Sequence, residues 1–241
     1  MKIPALLGVL LLCLPASAQE AEGRFLAKSS HTEVAYVVGY KYLLTLPQGY
    51  ASDPVKKWPL LVFLHGAGER GDDLELLKKH GPLKMIGAGK TFEAIVVAPQ
   101  VPLNSRWDPH GVKGLVDDIR QHYRVDDSRL YLTGISMGGF GTWETLVEYP
   151  KVFAAAVPIC GGPGIGVLKF DQIRTLPIWA FHGEADQVVP VELSKMAVTW
   201  MKKVGGNLRF TSYPGVGHDS WTQTYENQAM WDWLFAQRKA P

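Results

Sequence analysis

Residues 130–138 read Leu-Tyr-Leu-Thr-Gly-Ile-Ser-Met-Gly, a short apolar run that leads into a serine flanked by two glycines. A segment of helical character follows. This pattern is typical of a nucleophilic serine on a very sharp turn between strand and helix, because side chains two residues to either side would collide. The helix that starts there also offers free backbone N–H groups to a developing oxyanion. We therefore predict Ser136 as a catalytic nucleophile, the alternative being an ordinary glycine-rich turn.

Apolar runs of strand length alternate with amphipathic stretches of helical length along most of the chain. The predicted strands are 40–46, 59–65, 95–98, 130–133, 154–159, 178–181 and 209–213, and the predicted helices include 112–123, 140–149, 191–204 and 225–237. Continuously apolar strands are typical of strands buried on both faces. The alternation therefore predicts an α/β fold with a mostly parallel central sheet and helices on both faces. The span 161–175 is short, so we expect no large cap domain.

A serine nucleophile requires a base and an acid that orients the base. Asp186 lies in a polar turn that follows a predicted strand, and His218 lies in a glycine-rich loop that follows the last one. The order serine, acid, histidine matches one known arrangement of such residues. We predict Asp186 as the acid and His218 as the base. Glu184, two residues before Asp186, stays open as the alternative acid.

Two backbone N–H groups are needed to stabilise the oxyanion. One is expected from Met137, which follows the nucleophile. The other is expected from the loop after an early buried strand, where residues 64–71 read Leu-His-Gly-Ala-Gly-Glu-Arg-Gly. We assign this second donor to Ala67, with Gly68 as the alternative. The polar residues of the same loop are expected to brace it rather than to react.

Two tryptophans are candidates for contact with the substrate. Trp107 lies in a loop after a strand end, and Trp221 follows the predicted base by three residues. Either ring could flank an acyl or aromatic group, although most tryptophans in a chain of this type pack in the core. We predict Trp107 and Trp221 as substrate-binding residues.

The motifs at 65–71 and 134–139, together with Asp186 and His218, resemble those of the α/β-hydrolase superfamily, and the resemblance extends over residues 19–241. The closest similarity is to small bacterial secreted esterases of the phospholipase/carboxylesterase, feruloyl-esterase-like and polyhydroxybutyrate-depolymerase-like group. Such sequences also resemble predicted peptidases with a prolyl-oligopeptidase-type catalytic domain. The resemblance implies a serine hydrolase of carboxylic esters that needs no metal or organic cofactor. We see no polymer-binding module and no propeller domain, which disfavours a polymer substrate and a peptidase.

The charge composition disfavours some classes of binding partner. The chain has 25 Lys and Arg against 23 Asp and Glu, for a net charge of +2, and no run of basic residues. Nucleic-acid binding and electrostatic membrane attachment are therefore disfavoured. We expect a small-molecule or oligomeric ester with a short or aromatic acyl group as the substrate. A serine peptidase and a catalytically silent binding protein on the same fold are the alternatives, and the oligomeric state is left open.

Residues 1–18 have the pattern of a secretory signal peptide. Lys2 gives a positive start, the apolar run 3–14 is shorter than the roughly 20 residues that span a bilayer, and Ala-Ser-Ala at 16–18 is a small-x-small cleavage pattern. We expect cleavage after residue 18, a single catalytic domain at 19–241, and a secreted or periplasmic protein without a membrane anchor.

Cysteine is scarce, with two residues in the chain. Cys13 raises the alternative of lipid attachment, which is disfavoured because the preceding residue is the large Leu12. Cys160 alone lies in 19–241, so that domain has no partner for an intramolecular disulfide. Because Cys160 ends an apolar predicted strand, we expect a buried small hydrophobe rather than a reactive thiol.

Overall fold

A seven-stranded sheet organises residues 37–239, the part of the chain that the computed structural model describes. The strands are β1 (Lys41–Thr45), β2 (Trp58–Leu64), β3 (Ile95–Gln100), β4 (Val125–Ile135), β5 (Ala155–Ile159), β6 (Ile178–Gly183) and β7 (Leu208–Tyr213). Their spatial order is β1-β3-β2-β4-β5-β6-β7. β1 pairs antiparallel with β3, and every other neighbouring pair is parallel. The predicted mostly parallel α/β architecture is confirmed.

Six α-helices within the described range cover the sheet. They are α1 (Gly81–Gly87), α2 (Pro109–His122), α3 (Met137–Glu148), α4 (Glu192–Lys203), α5 (Trp221–Glu226) and α6 (Gln228–Ala236). Buried side chains of α2, α3 and α4 belong to one hydrophobic cluster, and those of α1, α5 and α6 belong to a second. The sheet is therefore packed with helices on both of its faces.

β2 shows why the central strands are apolar at every position. All seven of its residues are buried. Leu60, Val62 and Leu64 join the first cluster, whereas Leu61 and Phe63, which point the other way in a pleated strand, join the second. Burial of a large aliphatic or aromatic side chain contributes about 1.5–3 kcal/mol, so both faces of this strand stabilise the fold.

Three elements differ from the sequence-based prediction. The predicted helix 225–237 is two helices, α5 and α6, which meet at Asn227. The side chain of Asn227 accepts a hydrogen bond from the Ala229 N–H at 3.0 Å and so begins α6 as an N-cap. β4 starts five residues earlier than predicted, with an irregular register against β2. The short helix α1 was not predicted.

The span after β5 forms a 3-10 helix, Gly164–Ile173, and no large cap domain is present among residues 37–239. The predicted signal peptide at 1–18 lies outside the described residues. No helix in the described range is long and apolar enough to cross a membrane. β2, β4, β6 and β7 run parallel, so the segments that follow them meet at one edge of the sheet, where ligands of such sheets bind.

Candidate active site

Ser136 occupies a strained turn between β4 and α3. Its φ of 52° and ψ of −117° place a non-glycine residue in a sparsely populated region, at a cost of about 1–3 kcal/mol. The flanking glycines make the turn possible. A Cβ on Gly134 would lie 2.3 Å from the carbonyl oxygen of Gly138, and a Cβ on Gly138 would lie 2.0 Å from that of Leu64. Backbone atoms thus enclose both glycines, and the serine side chain is held at the carboxyl edge of the sheet.

Asp186 lies in the turn after β6, and the side chain is buried. Its Oδ1 accepts hydrogen bonds from the N–H groups of Val188 and Val189, at 2.8 and 2.9 Å. Burial raises the pKa of the carboxyl group, but hydrogen bonds from His218 and from these two amides outweigh burial, and the net pKa lies below the ordinary value. Asp186 is therefore held in its ionised form.

His218 joins the other two residues. Its Nδ1 lies 2.7 Å from Oδ2 of Asp186, and its Nε2 lies 2.9 Å from Oγ of Ser136. Because an ionised carboxylate can only accept, Nδ1 carries the proton and Nε2 is left to accept the serine hydroxyl hydrogen. The structure thus brings together Ser136, Asp186 and His218 in one hydrogen-bonded line. Glu184 is placed elsewhere, accepting a hydrogen bond from Ser212 Oγ at 2.6 Å.

A second histidine, which was not among the predicted site residues, contacts the acid. His182, at the end of β6, is fully buried. Its Nε2 lies 2.8 Å from the carbonyl oxygen of Val189 and 3.2 Å from Oδ2 of Asp186, while its Nδ1 contacts Ser194 Oγ at 2.8 Å. Both neighbours of Nε2 are acceptors, so this nitrogen donates. His182 therefore braces the turn that carries Asp186.

His65 sets the orientation of the loop after β2. Its Nε2 accepts the Val101 N–H at 3.0 Å, so its Nδ1 carries the proton and donates to the Gly66 carbonyl oxygen at 2.6 Å. Burial lowers the pKa of His65 to about 4; the bond to Gly66 opposes this shift and the charge of Arg70 adds to it. The imidazole is therefore neutral at physiological pH, as this pair of hydrogen bonds requires.

The two predicted oxyanion donors begin helices. Ala67 is the first residue of a 3-10 helix, Ala67–Glu69, and Met137 is the first residue of α3, so neither N–H has a partner within its helix. In a trans peptide the carbonyl and the following N–H point in opposite directions. Because the Gly66 carbonyl faces His65, the Ala67 N–H is turned away from His65 and is available to another acceptor.

A cavity of about 220 Å³ opens beside the nucleophile. The side chains that line it are Arg106, Trp107, Ser136, Met137, Phe140 and Glu144. Trp107 is nearly buried, and its indole N–H donates to the His65 carbonyl oxygen at 3.1 Å. The ring therefore both supports the loop after β2 and forms part of the cavity wall. Burial raises the pKa of Glu144, an effect that the charge of Arg106 opposes.

Trp221 packs against the base, His218. Its ring meets His218 edge to face, with centroids 5.3 Å apart, and its indole N–H donates to His80 Nδ1 at 3.3 Å. Nε2 of His80 lies 3.7 Å from Oε1 of the buried Glu69. Trp221 and His80 also line a second cavity, of about 160 Å³. The contact with His80 could not be predicted from the sequence, because no local spacing connects residues 141 positions apart.

The chain is similar in sequence and fold to known proteins. A family model described as Phospholipase/Carboxylesterase matches residues 110–231. Acyl-protein thioesterase 1 of Neurospora crassa is 32% identical over 205 residues, which cover 66% of this chain and 80% of that protein. A bifunctional acetylxylan esterase/xylanase of Neocallimastix patriciarum is 31% identical over 138 residues, which cover 54% of this chain but 20% of that protein.

Among solved structures, a thermostable esterase is 38% identical with a TM-score of 0.69; the match covers 82% of this chain and 59% of that one. This chain thus spans less than two thirds of the esterase/xylanase and of the thermostable esterase. The family match and the thioesterase, by contrast, extend over half of the chain or more. The chain belongs to the phospholipase/carboxylesterase family of α/β-hydrolases.

Proposed function

We propose that this protein is an exported esterase that hydrolyses carboxylic esters with short or aromatic acyl groups through Ser136, His218 and Asp186. The observation that carries the proposal is the hydrogen-bonded line from Asp186 Oδ2 through His218 to Ser136 Oγ, with links of 2.7 and 2.9 Å. These lengths are within the range that proton transfer between a nucleophile and its base requires. Export rests on the sequence pattern of residues 1–18, and 19–241 would form the catalytic domain.

The first half of the reaction forms an acyl-enzyme. Ser136 Oγ attacks the ester carbonyl carbon while its proton passes to His218 Nε2, and Asp186 stabilises the imidazolium that results. The negative charge that develops on the carbonyl oxygen is taken up by the N–H groups of Met137 and Ala67. When the tetrahedral intermediate collapses, the alcohol oxygen takes the proton from His218 and leaves.

The second half repeats these steps with water as the nucleophile. His218 removes a proton from water, and the hydroxide attacks the acyl carbon. The same two amides stabilise the charge on the carbonyl oxygen. Collapse of this second intermediate returns the proton to Ser136 Oγ and releases the acid. No step in this cycle draws on a group outside the named residues, the substrate and water.

The size of the cavity supports the proposed preference for short or aromatic acyl groups. The space beside Ser136 is about 220 Å³, smaller than the roughly 300–1,000 Å³ of pockets that enclose drug-sized ligands. Trp107, Met137 and Phe140 give it apolar walls, which suit a short aliphatic or a flat aromatic acyl group. A long chain would leave methylenes in water and forgo about 0.8 kcal/mol for each one.

The proposal is tested with purified protein and a panel of p-nitrophenyl esters from two to sixteen carbons, together with methyl esters of aromatic acids. We expect kcat/KM to be highest for short and aromatic acyl groups. Ser136→Ala should lose on the order of 10⁶ in kcat and should not be labelled by a fluorophosphonate probe. Turnover of prolyl amides faster than of any ester, or activity retained by Ser136→Ala, would refute the proposal.

A further inference from the structure

Gln100, the last residue of β3, has a polar side chain that the proposed mechanism does not use. Only 1% of the residue is exposed. Its Nε2 donates to the carbonyl oxygen of Glu69 at 2.9 Å and to that of Asp73 at 2.8 Å. Because a carbonyl oxygen can only accept a hydrogen bond, these two contacts fix the orientation of the amide. Gln100 therefore holds the loop after β2 at two points.

The backbone of the next residue holds the same loop. The Val101 N–H donates to His65 Nε2 at 3.0 Å, and the Val101 carbonyl oxygen accepts the Gly71 N–H at 2.9 Å. Together with the bonds from the glutamine amide, these contacts bracket the 3-10 helix Ala67–Glu69. The first residue of that turn is the second predicted oxyanion donor, and the last is the one whose carbonyl the glutamine holds.

The other atom of the Gln100 amide is buried at a cost. Its Oε1 has no hydrogen-bond partner among the residues that the structure describes. A buried acceptor without a donor costs free energy comparable to what two net hydrogen bonds contribute. The gain from Nε2 and the cost of Oε1 thus roughly cancel, so stability alone does not favour glutamine here. The amide is better explained by the segment that it fixes.

We infer that Gln100 is a positioning residue that holds the turn Ala67–Glu69 in place and so directs the Ala67 N–H toward the oxyanion. The inference rests on the proposed function, in which the Ala67 and Met137 amides take up the developing charge. The ester carbonyl becomes an oxyanion only after Ser136 Oγ has attacked it. Loss of the glutamine amide therefore weakens the transition state and leaves the binding of the uncharged ester unchanged.

The test compares Gln100→Met with the wild type, because methionine has about the same length but cannot donate a hydrogen bond. With p-nitrophenyl acetate we expect kcat to fall about 10- to 100-fold and KM to change by less than about twofold, since removal of a whole oxyanion donor costs about 10²–10³ in kcat. Gln100→Asn keeps the amide but is one methylene shorter, so it should give a smaller loss of kcat. This variant carries the comparison if Gln100→Met does not fold.

A second measurement separates positioning of the oxyanion donor from general loosening of the site. A trifluoromethyl ketone adds Ser136 Oγ at its carbonyl carbon while the serine proton passes to His218, and this addition leaves an oxyanion in the site. The unfluorinated ketone of the same chain binds without the addition. In Gln100→Met the inhibition constant of the fluorinated ketone should rise by about the factor by which kcat/KM falls, and that of the unfluorinated ketone should change by less than about twofold.

Tyr131→Phe is the matched control. Tyr131 is fully buried, and its hydroxyl also contacts two backbone carbonyl oxygens, those of Phe235 at 3.2 Å and Gln237 at 2.7 Å. The variant should lower the unfolding temperature and leave kcat unchanged.

Three results would overturn the inference: wild-type kcat in a folded Gln100 variant, equal weakening of both ketones, or an equal loss of kcat in Tyr131→Phe. A wild-type protein that neither hydrolyses esters nor binds the fluorinated ketone would instead overturn the proposed function, so the two failures are distinguishable.

Discussion

Asp186 uses its two carboxylate oxygens for different purposes. Oδ2 lies 2.7 Å from Nδ1 of His218, while Oδ1 accepts the amides of Val188 and Val189 within its own turn. Backbone hydrogen bonds within the turn therefore fix the orientation of the carboxylate. The carboxylate in turn holds the histidine with its Nε2 toward Ser136. The acid orients the base because the acid is itself held by neighbouring backbone.

Asp186→Asn should keep the fold and lose about 10⁴ in kcat, because an amide in this position favours the wrong imidazole tautomer. Glu184→Gln is the matched control, since Glu184 contacts Ser212 and is exposed. Its kcat should stay near that of the wild type. Steady-state kinetics with p-nitrophenyl acetate measure both, and reversed effects would assign the acid to Glu184.

Gly138→Ala should destabilise the protein by about 3 kcal/mol or more, since its Cβ would lie 2.0 Å from the Leu64 carbonyl oxygen, a backbone atom that cannot move aside. Gly114→Ala is the control. Gly114 is an exposed position within α2 where a Cβ meets nothing within 4 Å, and alanine there should stabilise the helix by roughly 0.5–1 kcal/mol. Urea denaturation reports both; similar stability of the two variants would contradict the close approach.

The stability of the protein should fall as pH drops from about 6.5 toward 4. The ordinary pKa of histidine is 6.5, and burial lowers that of His65 to about 4. Between these values the unfolded chain binds a proton that the folded chain does not, so acid favours unfolding in this window. His65→Gln removes this contribution and should flatten the dependence. Denaturant titrations at half-unit pH intervals measure the free energy of unfolding. If its dependence on pH were unchanged in the variant, a group other than His65 would cause the acid sensitivity.

Trp107→Ala should lower kcat/KM for aromatic acyl esters more than for acetate, because its ring forms a wall of the cavity beside Ser136. The acetyl group is too short to contact the Trp107 ring as extensively, so the acetate ester should lose less kcat/KM. The indole also supports the His65 carbonyl, so a uniform loss is expected in addition. Trp107→Phe, which keeps an aromatic wall, is the control and should restore most of the selectivity. A ratio of the two substrates that is unchanged in Trp107→Ala would confine the residue to a structural role.

Trp221→Ala tests whether Trp221 contacts the substrate. The ring packs against His218 but lines a cavity that Ser136 does not border. We expect Trp221→Ala to lower kcat/KM for aromatic esters more than for acetate, with His80→Gln as a milder variant that keeps the tryptophan ring and perturbs its indole hydrogen bond. An equal loss for both substrates would mean that Trp221 acts by supporting His218 alone.

The architecture was predictable from the sequence because buried parallel strands are apolar at every position, as β2 is. The split at Asn227 was missed because hydrophobic periodicity continues across it, although asparagine is a known N-cap. The proximity of Ser136, Asp186 and His218 followed from chain order and strand ends; their catalytic roles stay predictions. His182 and His80 could not be assigned, because their contacts depend on the packing of turns and not on spacing along the chain.

The position of β7 bears on whether activity or global structure is lost first on heating. Within the described residues β7 pairs with β6 alone and forms one edge of the sheet, and the base-bearing loop follows it directly. Ser136, by contrast, follows β4 in the centre of the sheet. Edge elements open with less free energy than central ones. On warming, His218 should therefore leave its partners before the core melts, and activity should disappear at a lower temperature than global structure.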